Sequence, residues 1–540
     1  MSTLQNNITL FLVAHPRTLY ILLERIQPSM TTVLDLSNNE LTTLNNEFND
    51  LSKLTKLYLQ NNKLESISDH TFLNLEELNY LYLQQNQLKT FGSIRLSHVN
   101  YLSFNNNNMS GDITENTFSS IRHSITALDF AKQNITGIRN EAFADMETLL
   151  SLNLSKNSIR TLNDSSFVNT HIRILDLSYN QLQDLDFLKN CLTNLTVFNV
   201  SNNNIQVISQ NAFENQQQML NLDLSMNNII RIEERSLPLL KLQYLNVAGN
   251  HLYGTVRKNV FSPAKYLRFL DLSNFNITRI DEYAFVDLPV LAGLNLSHNQ
   301  IRNIALTNFR GVNNMHSLDI SRNKITLLQP GTFQFMENLK VLNLSANSLT
   351  EIRNRSLQGL NNTQVMDISK NALTSLDVEL FQKCNELKTL IIDNNRIKSL
   401  DIDRLLFLVP TLSTISLGGN PISCRIFFLR IGPVNSSVSI RRVIVTSIDK
   451  IYHGDNVYGI KCGDNDTDVT TNKPEADSAE SSSVVPLVLW PVLTISLISI
   501  GALVIYKKYH NKNRYRVYPV NRISKSALEV NVSVSSIIDE

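Results

Sequence analysis

The sequence predicts an elongated α/β-type solenoid of stacked short strands, continued by one helix long enough to cross a membrane. Three observations carry this. The frame L-x-x-L-x-L-x-x-N-x-L recurs seventeen times between residues 31 and 422. A run of 23 uncharged residues, Val484 to Tyr506, lies near the C-terminus. Lys507, Lys508, Lys512, Arg514 and Arg516 follow it at once. A length of 540 residues would otherwise suggest three or four globules at roughly 150 residues each. A repeat of this period makes one continuous body instead.

Composition narrows the classes of function. The net charge is +1, from 49 basic and 48 acidic residues, so a general nucleic-acid footprint is not expected. Sixteen glycines are too few for a collagen and offer little to phosphate-binding loops. Four cysteines exclude a dense disulfide scaffold.

The repeat is in register from Leu34, Leu36, Asn39 and Leu41, through Leu57, Leu59, Asn62 and Leu64, to Leu81, Leu83, Asn86 and Leu88. Its asparagine position recurs at Asn107, Gln133, Asn157, Asn180, Asn203, Asn227, Asn250, Phe275, Asn299, Asn323, Asn347, Asn371, Asn395 and Asn420, mostly 23 to 25 residues apart. Phenylalanine often follows about ten residues later, at Phe48, Phe72, Phe143, Phe213, Phe285, Phe309, Phe333 and Phe381. In L-x-L both leucines of a short strand point into a shared core and the residue between them points out. The chain then turns and leaves backbone donors and acceptors inside, and an Asn amide can satisfy both kinds. No repeat can bury its leucines alone, so neighbours must stack. At about 4.8 Å per strand, the inner arc is roughly 80 Å. Phe275 cannot serve the turn, so a local irregularity or kink is expected there, unless water or Asn274 compensates.

These seventeen copies resemble the leucine-rich repeat proteins, in the 24-residue class of animal extracellular receptors and adhesion proteins, over nearly three quarters of the chain. The resemblance implies a horseshoe with a concave parallel β-sheet. It also implies that Asn420-Pro421-Ile422-Ser423-Cys424 opens a C-terminal cap. Such caps often carry four cysteines. With Cys424 and Cys462 alone here, residues 423–462 form a reduced cap with one Cys424–Cys462 disulfide, or hold two free thiols. Cys384 occupies a position that holds Met146 and Leu192 elsewhere, and Cys191 is next to it, so both read as core residues.

Before the array, residues 1–30 are less regular. Leu10 and Leu12 lie one period before Leu34 and Leu36, which fits a degenerate first repeat. Ile8 to Ala14 makes a poor signal peptide because no basic residue precedes it. After the cap, residues 463–483 read as an acidic stalk. Residues 484–506 then cross a bilayer, with Pro486 and Pro491 in the first turns and Trp490 and Tyr506 toward the ends. The basic tail, residues 507–540, is cytoplasmic and the repeats are outside by the positive-inside rule. Its 34 residues are too few for a folded signalling domain. The chain therefore looks like a Toll-type ectodomain without the Toll-type output. Sequons at Asn108, Asn134, Asn163, Asn194, Asn276, Asn354, Asn361, Asn435 and Asn465 are candidate glycan sites. Those at Asn153, Asn199, Asn295 and Asn343 would put sugar on the concave face.

No H-E-x-x-H, G-x-S-x-G, phosphate-binding loop or C-x-x-C occurs, so no catalytic residue, metal or cofactor is expected. The outward strand residue is more informative. It alternates strictly between Asp and Asn: Asp129, Asn153, Asp176, Asn199, Asp223, Asn246, Asp271, Asn295, Asp319, Asn343, Asp367. Interleaved Asn separates the carboxylates to about 10 Å, near the Debye length. The row is either a solubilising hydrogen-bonded ladder or a mildly acidic docking face for a basic protein. Early repeats place Tyr58, Tyr80, Tyr82 and Tyr101 on the same face, with Ser103. Aromatics there are typical anchors for a protein partner, although β propensity alone can also place them.

The expectation is a single-pass type I plasma-membrane glycoprotein that recognises or adheres to proteins, similar to chaoptin- and connectin-like proteins. The partner would be an extracellular protein or the same protein on an opposing cell. The alternative is an accessory innate-immune receptor that captures a ligand for a separate signalling receptor. Arrays of this kind often pair, so a dimer is allowed.

Overall fold

The computed structural model describes residues 8–11, 30–90, 96, 98–233, 236–252, 254–258, 260–261 and 264–422, and the strand segments 438–440, 443–446, 456–457 and 460–461. Cys424, Cys462, Asn435, Asn465, the stalk, the segment 484–506 and the tail lie outside the described residues. Among the described residues no helix is long and apolar enough to cross a membrane.

Each L-x-L forms a three-residue strand, and the strands pair in parallel with the next repeat. Leu34 pairs with Leu57, Leu57 with Leu81, and Leu81 with Leu102. The ladder runs on in constant register to Ser416, whose strand Thr414–Ser416 pairs with Val443–Thr446. At the other end, Ile8–Phe11 pairs with Thr31–Asp35, with Leu10 opposite Leu34. Every frame leucine named above within residues 34–88 is at most 1% exposed. Burying each stabilises the array by about 1.5–3 kcal/mol.

The asparagine ladder sits beneath this sheet. Asn227 is typical: its amide oxygen accepts from the Ile205 N–H at 3.1 Å, and its amide nitrogen donates to the carbonyls of Val200 and Leu224 at 3.0 and 3.1 Å. One side chain thus ties together two neighbouring turns. Asn enters from a turn whose preceding residue has left-handed φ. Asn38, Asn61, Gln85, Asn106, Lys132, Lys156, Tyr179, Asn202 and Met226 all adopt it, as do Gly249, Asn274, His298, Arg322, Ala346, Lys370, Asn394 and Gly419.

Gln133 reaches the ladder with its longer stem, accepting from Met109 at 3.1 Å and donating to the Phe104 carbonyl at 2.6 Å. At Phe275 the expected kink is absent from the long sheet. Strands Tyr244–Asn246, Phe269–Asp271 and Gly293–Asn295 pair without a shift. Asn299 makes the ordinary ladder bond, its amide oxygen accepting from Ile277 at 2.9 Å, and takes the Phe275 N–H as well, at 3.0 Å. The irregularity lies on the flank instead. Gly254–Val256 pairs with Ile277–Ile280 through a register shift, and Ser110–Ile113 pairs with Asn134–Ile138 through another. The two positions that lack asparagine each lie beside one of these flank sheets.

The return side corrects the α/β-type expectation. Among the described residues it holds five 3-10 turns, such as Asp164–Phe167 and Leu306–Phe309, and one α-helix, Ile402–Leu408. A 24-residue period leaves too few residues after strand and turn for a helix of ordinary length. The fold is a parallel β-solenoid. Its phenylalanines stack along the return side: Phe118, Phe143 and Phe167 have successive ring centroids 5.6 Å apart. Gly359 enters this side at φ 100, where an added Cβ would meet the Phe333 carbonyl.

Candidate binding face of the long sheet

The constant register turns strand positions into columns. One column on the solvent face runs Asp35, Tyr58, Tyr82, Ser103, Asp129, Asn153, Asp176. The column two residues earlier runs Val33, Lys56, Tyr80, Tyr101, Ala127. Four tyrosines from three adjacent strands therefore meet. Tyr58 and Tyr82 stack with ring centroids 4.6 Å apart and planes 10° from parallel. Tyr101 lies against Tyr82 at 5.0 Å and against Tyr80 at 6.3 Å, both tilted. The Lys56 ammonium sits over the Tyr80 ring at 4.5 Å. Each tyrosine is half-buried.

Burial raises the Tyr82 phenol well above its ordinary range, aided by the other three tyrosines. Burial also pushes Tyr101 up to about 12, and the Asp129 charge adds to it. Tyr58 is raised by burial and then by Asp35, against a hydrogen bond with Tyr82. Burial and neighbouring charge thus favour the protonated phenols of Tyr58, Tyr82 and Tyr101, and a carboxylate acts on the cluster from each end. Ser103 Oγ donates to Asp129 at 3.1 Å.

The Asp–Asn row is hydrogen-bonded into the fold. The Asp176, Asp223, Asp271, Asp319 and Asp367 carboxylates each accept the N–H of the serine two residues on at 2.9 Å. Asp129 does the same with Ala131 at 3.2 Å. Asn246, Asn295 and Asn343 also donate across to Asp223, Asp271 and Asp319 at 3.0–3.2 Å. Burial raises the Asp129, Asp176, Asp223, Asp319 and Asp367 carboxyls above the usual range. Asn153, Asn199, Asn295 and Asn343 are half-buried, their amide oxygens also taking the N–H two residues on. Asn108, Asn134, Asn163, Asn354 and Asn361 are exposed, and Asn194 and Asn276 are half-buried.

The sequence reading missed two features. Exposed bases stand at the strand entries of the later repeats: Arg173, Arg268, His316, Lys340 and Lys388. The corresponding early residues are Thr55, Asn79 and Asn100, so the sheet's early part lacks this basic row. The other feature is a pair of buried acceptors, Gln60 Oε1 and Gln84 Oε1, which find no donor among the described residues. Each is two residues past a stacked tyrosine. Cys191 and Cys384 are buried thiols, pushed up to about 12 by burial, and Cys191 donates to the Phe187 carbonyl at 2.9 Å.

Leucine rich repeat profiles match residues 52–108, 123–182, 193–252, 254–301 and 313–373, more than half of the chain. A two-copy profile matches 170–210. The chain belongs to the leucine-rich repeat family. It is similar to Tsukushi of Gallus gallus, 31% identical over 196 residues, which are 35% of this chain and 52% of that protein. It is also similar to Toll-like receptor 3 of Bos taurus, 28% identical over 213 residues, 38% of this chain and 22% of that receptor. The chain thus spans about half, or less, of the length of these relatives. A solved leucine-rich repeat protein of Leptospira interrogans shares the fold at TM-score 0.60 and 21% identity, over 77% of this chain and 96% of that one.

Proposed function

We propose that this chain is a cell-surface glycoprotein that recognises or adheres to protein partners through the solvent face of its long sheet, without catalysis. The observation that carries the reading is the cluster of Tyr58, Tyr80, Tyr82 and Tyr101, half-buried rigid rings on three adjacent strands. Tyrosines held this way lose little entropy on binding and bury much area, as interface anchors do. Residues 484–506 anchor the chain in the plasma membrane with the repeats outside, a Cys424–Cys462 disulfide closes the cap, and the exposed sequons carry glycans. Similarity to Toll-like receptor 3 favours one second reading, an accessory receptor that captures a soluble ligand for a signalling partner.

The test is cell aggregation. Full-length chain, preceded by a working signal peptide, is displayed on non-adherent cells and mixed with like and untransfected cells. Adhesion predicts clustering of displaying cells, lost in Tyr58→Ala/Tyr82→Ala. No clustering despite surface display supports the accessory reading if a soluble extracellular protein is captured through the same tyrosines. Clustering or capture that ignores them overturns the assignment of this face.

A further inference from the structure

We propose that the tyrosine cluster recognises a basic segment of its protein partner, taking arginine or lysine side chains across the rings of Tyr58, Tyr82 and Tyr101 between the carboxylates of Asp35 and Asp129. This rests on the protein-binding reading of the sheet and names what the patch selects.

Four independent observations point to a cation. The ring faces carry negative potential, and the cluster already holds one ammonium, Lys56 over Tyr80 at 4.5 Å. The cluster lies between two carboxylates in one column, Asp35 and Asp129. Gln60 and Gln84, two residues past the stacked pair, keep buried carbonyl oxygens for which the described residues supply no donor. A buried acceptor without a donor is costly, and a guanidinium carries five donors in a rigid fork. Finally, the strand entries beside the cluster are Thr55, Asn79 and Asn100, whereas the later repeats place Arg173, Arg268, Lys340 and Lys388 there and would repel a basic segment. The later repeats also carry sequons on the sheet at Asn153, Asn199, Asn295 and Asn343, and the strands of the cluster carry none. An arginine stem would lie against a ring face that the Tyr58–Tyr82 stack leaves uncovered, while its guanidinium donates to a carboxylate or to a reoriented Gln60 or Gln84 amide oxygen.

The experiment uses the full chain in detergent and fluorescein-labelled twelve-residue peptides of Arg-Gly-Ser, Lys-Gly-Ser and Glu-Gly-Ser repeats, read by anisotropy. The arginine peptide binds, the lysine peptide binds more weakly, and the glutamate peptide does not. Tyr58→Ala/Tyr82→Ala weakens arginine binding about tenfold, and Tyr58→Phe/Tyr82→Phe, which keeps the rings, stays within about threefold. Asp35→Asn/Asp129→Asn weakens it, and added salt weakens it further. Lys56→Gln tightens it, because a competing charge leaves Tyr80. Equal binding of the glutamate peptide, or a Phe variant as weak as the Ala variant, overturns the proposal. Cell clustering that needs the tyrosines but is not inhibited by the arginine peptide overturns it while the protein-recognition reading stands. Arginine binding through the tyrosines without cell clustering or protein capture sinks that reading and leaves the cation preference intact.

Discussion

At the scale of single residues, the ladder amide and the strand-exit carboxylate do opposite things to stability. Asn227→Ala orphans the buried Ile205 N–H, while Val200 and Leu224 carbonyls keep donors from Asn203 and Asn250. The expected loss is about 1–3 kcal/mol, measurable by urea unfolding. An unchanged midpoint would show that the ladder is dispensable at that turn. Asp367 acts with the other sign. Burial raises its folded-state carboxyl above the unfolded value, so the folded chain binds the proton more tightly. Its contribution is therefore full below the unfolded value and is lost as pH rises through the folded one. Asp367→Asn keeps the acceptor for the Ser369 N–H and removes the charge. The variant should be more stable than the parent at pH 7, with the difference shrinking toward pH 3. A variant less stable at pH 7 would mean that the carboxylate's hydrogen bonds outweigh its desolvation.

At the scale of elements, the strands, their register and the inward amides are legible in the sequence because each depends on one repeat's own pattern. The gathering of Tyr58, Tyr80, Tyr82 and Tyr101 is legible for the same reason, since constant register puts equal frame positions side by side. What depends on a neighbouring repeat is not legible. Asn299 can serve two N–H groups because its amide oxygen has two lone pairs, and nothing at Phe275 announces that. The engagement of the Asp row had a visible signal, the serine two residues after Asp176, Asp223, Asp271, Asp319 and Asp367. The return side is not legible because its apolar residues suit a 3-10 turn and a helix equally. Gly359 lies there, and Gly359→Ala forces a Cβ toward the Phe333 carbonyl at a φ that L-residues avoid. The loss should exceed about 1 kcal/mol in thermal unfolding. A neutral result would mean that the turn relaxes.

At the scale of the whole molecule, the solenoid's stability is a sum over repeats and the interfaces between them. Removing residues 204–227, one period from Asn203 to Asn227, joins Asn203 to Asn228 and preserves the frame. That variant should fold and unfold with a urea dependence lower by roughly one part in seventeen, because less surface is exposed. Removing residues 204–215 breaks the frame and should yield unfolded or insoluble chain. Equal behaviour of the two deletions would disprove stacking as the source of cooperativity. The turn before each ladder position has a further consequence. One backbone shape is made here by asparagine, glutamine, glycine, lysine, tyrosine, methionine, histidine, arginine and alanine. The molecule is in effect a mutagenesis experiment already run at a fixed site, with its sister copies as internal controls. Ala346 and Met226, which lack the local hydrogen bonds that ease asparagine into this shape, mark where a designer has headroom: an asparagine there imports a solution the same chain uses elsewhere.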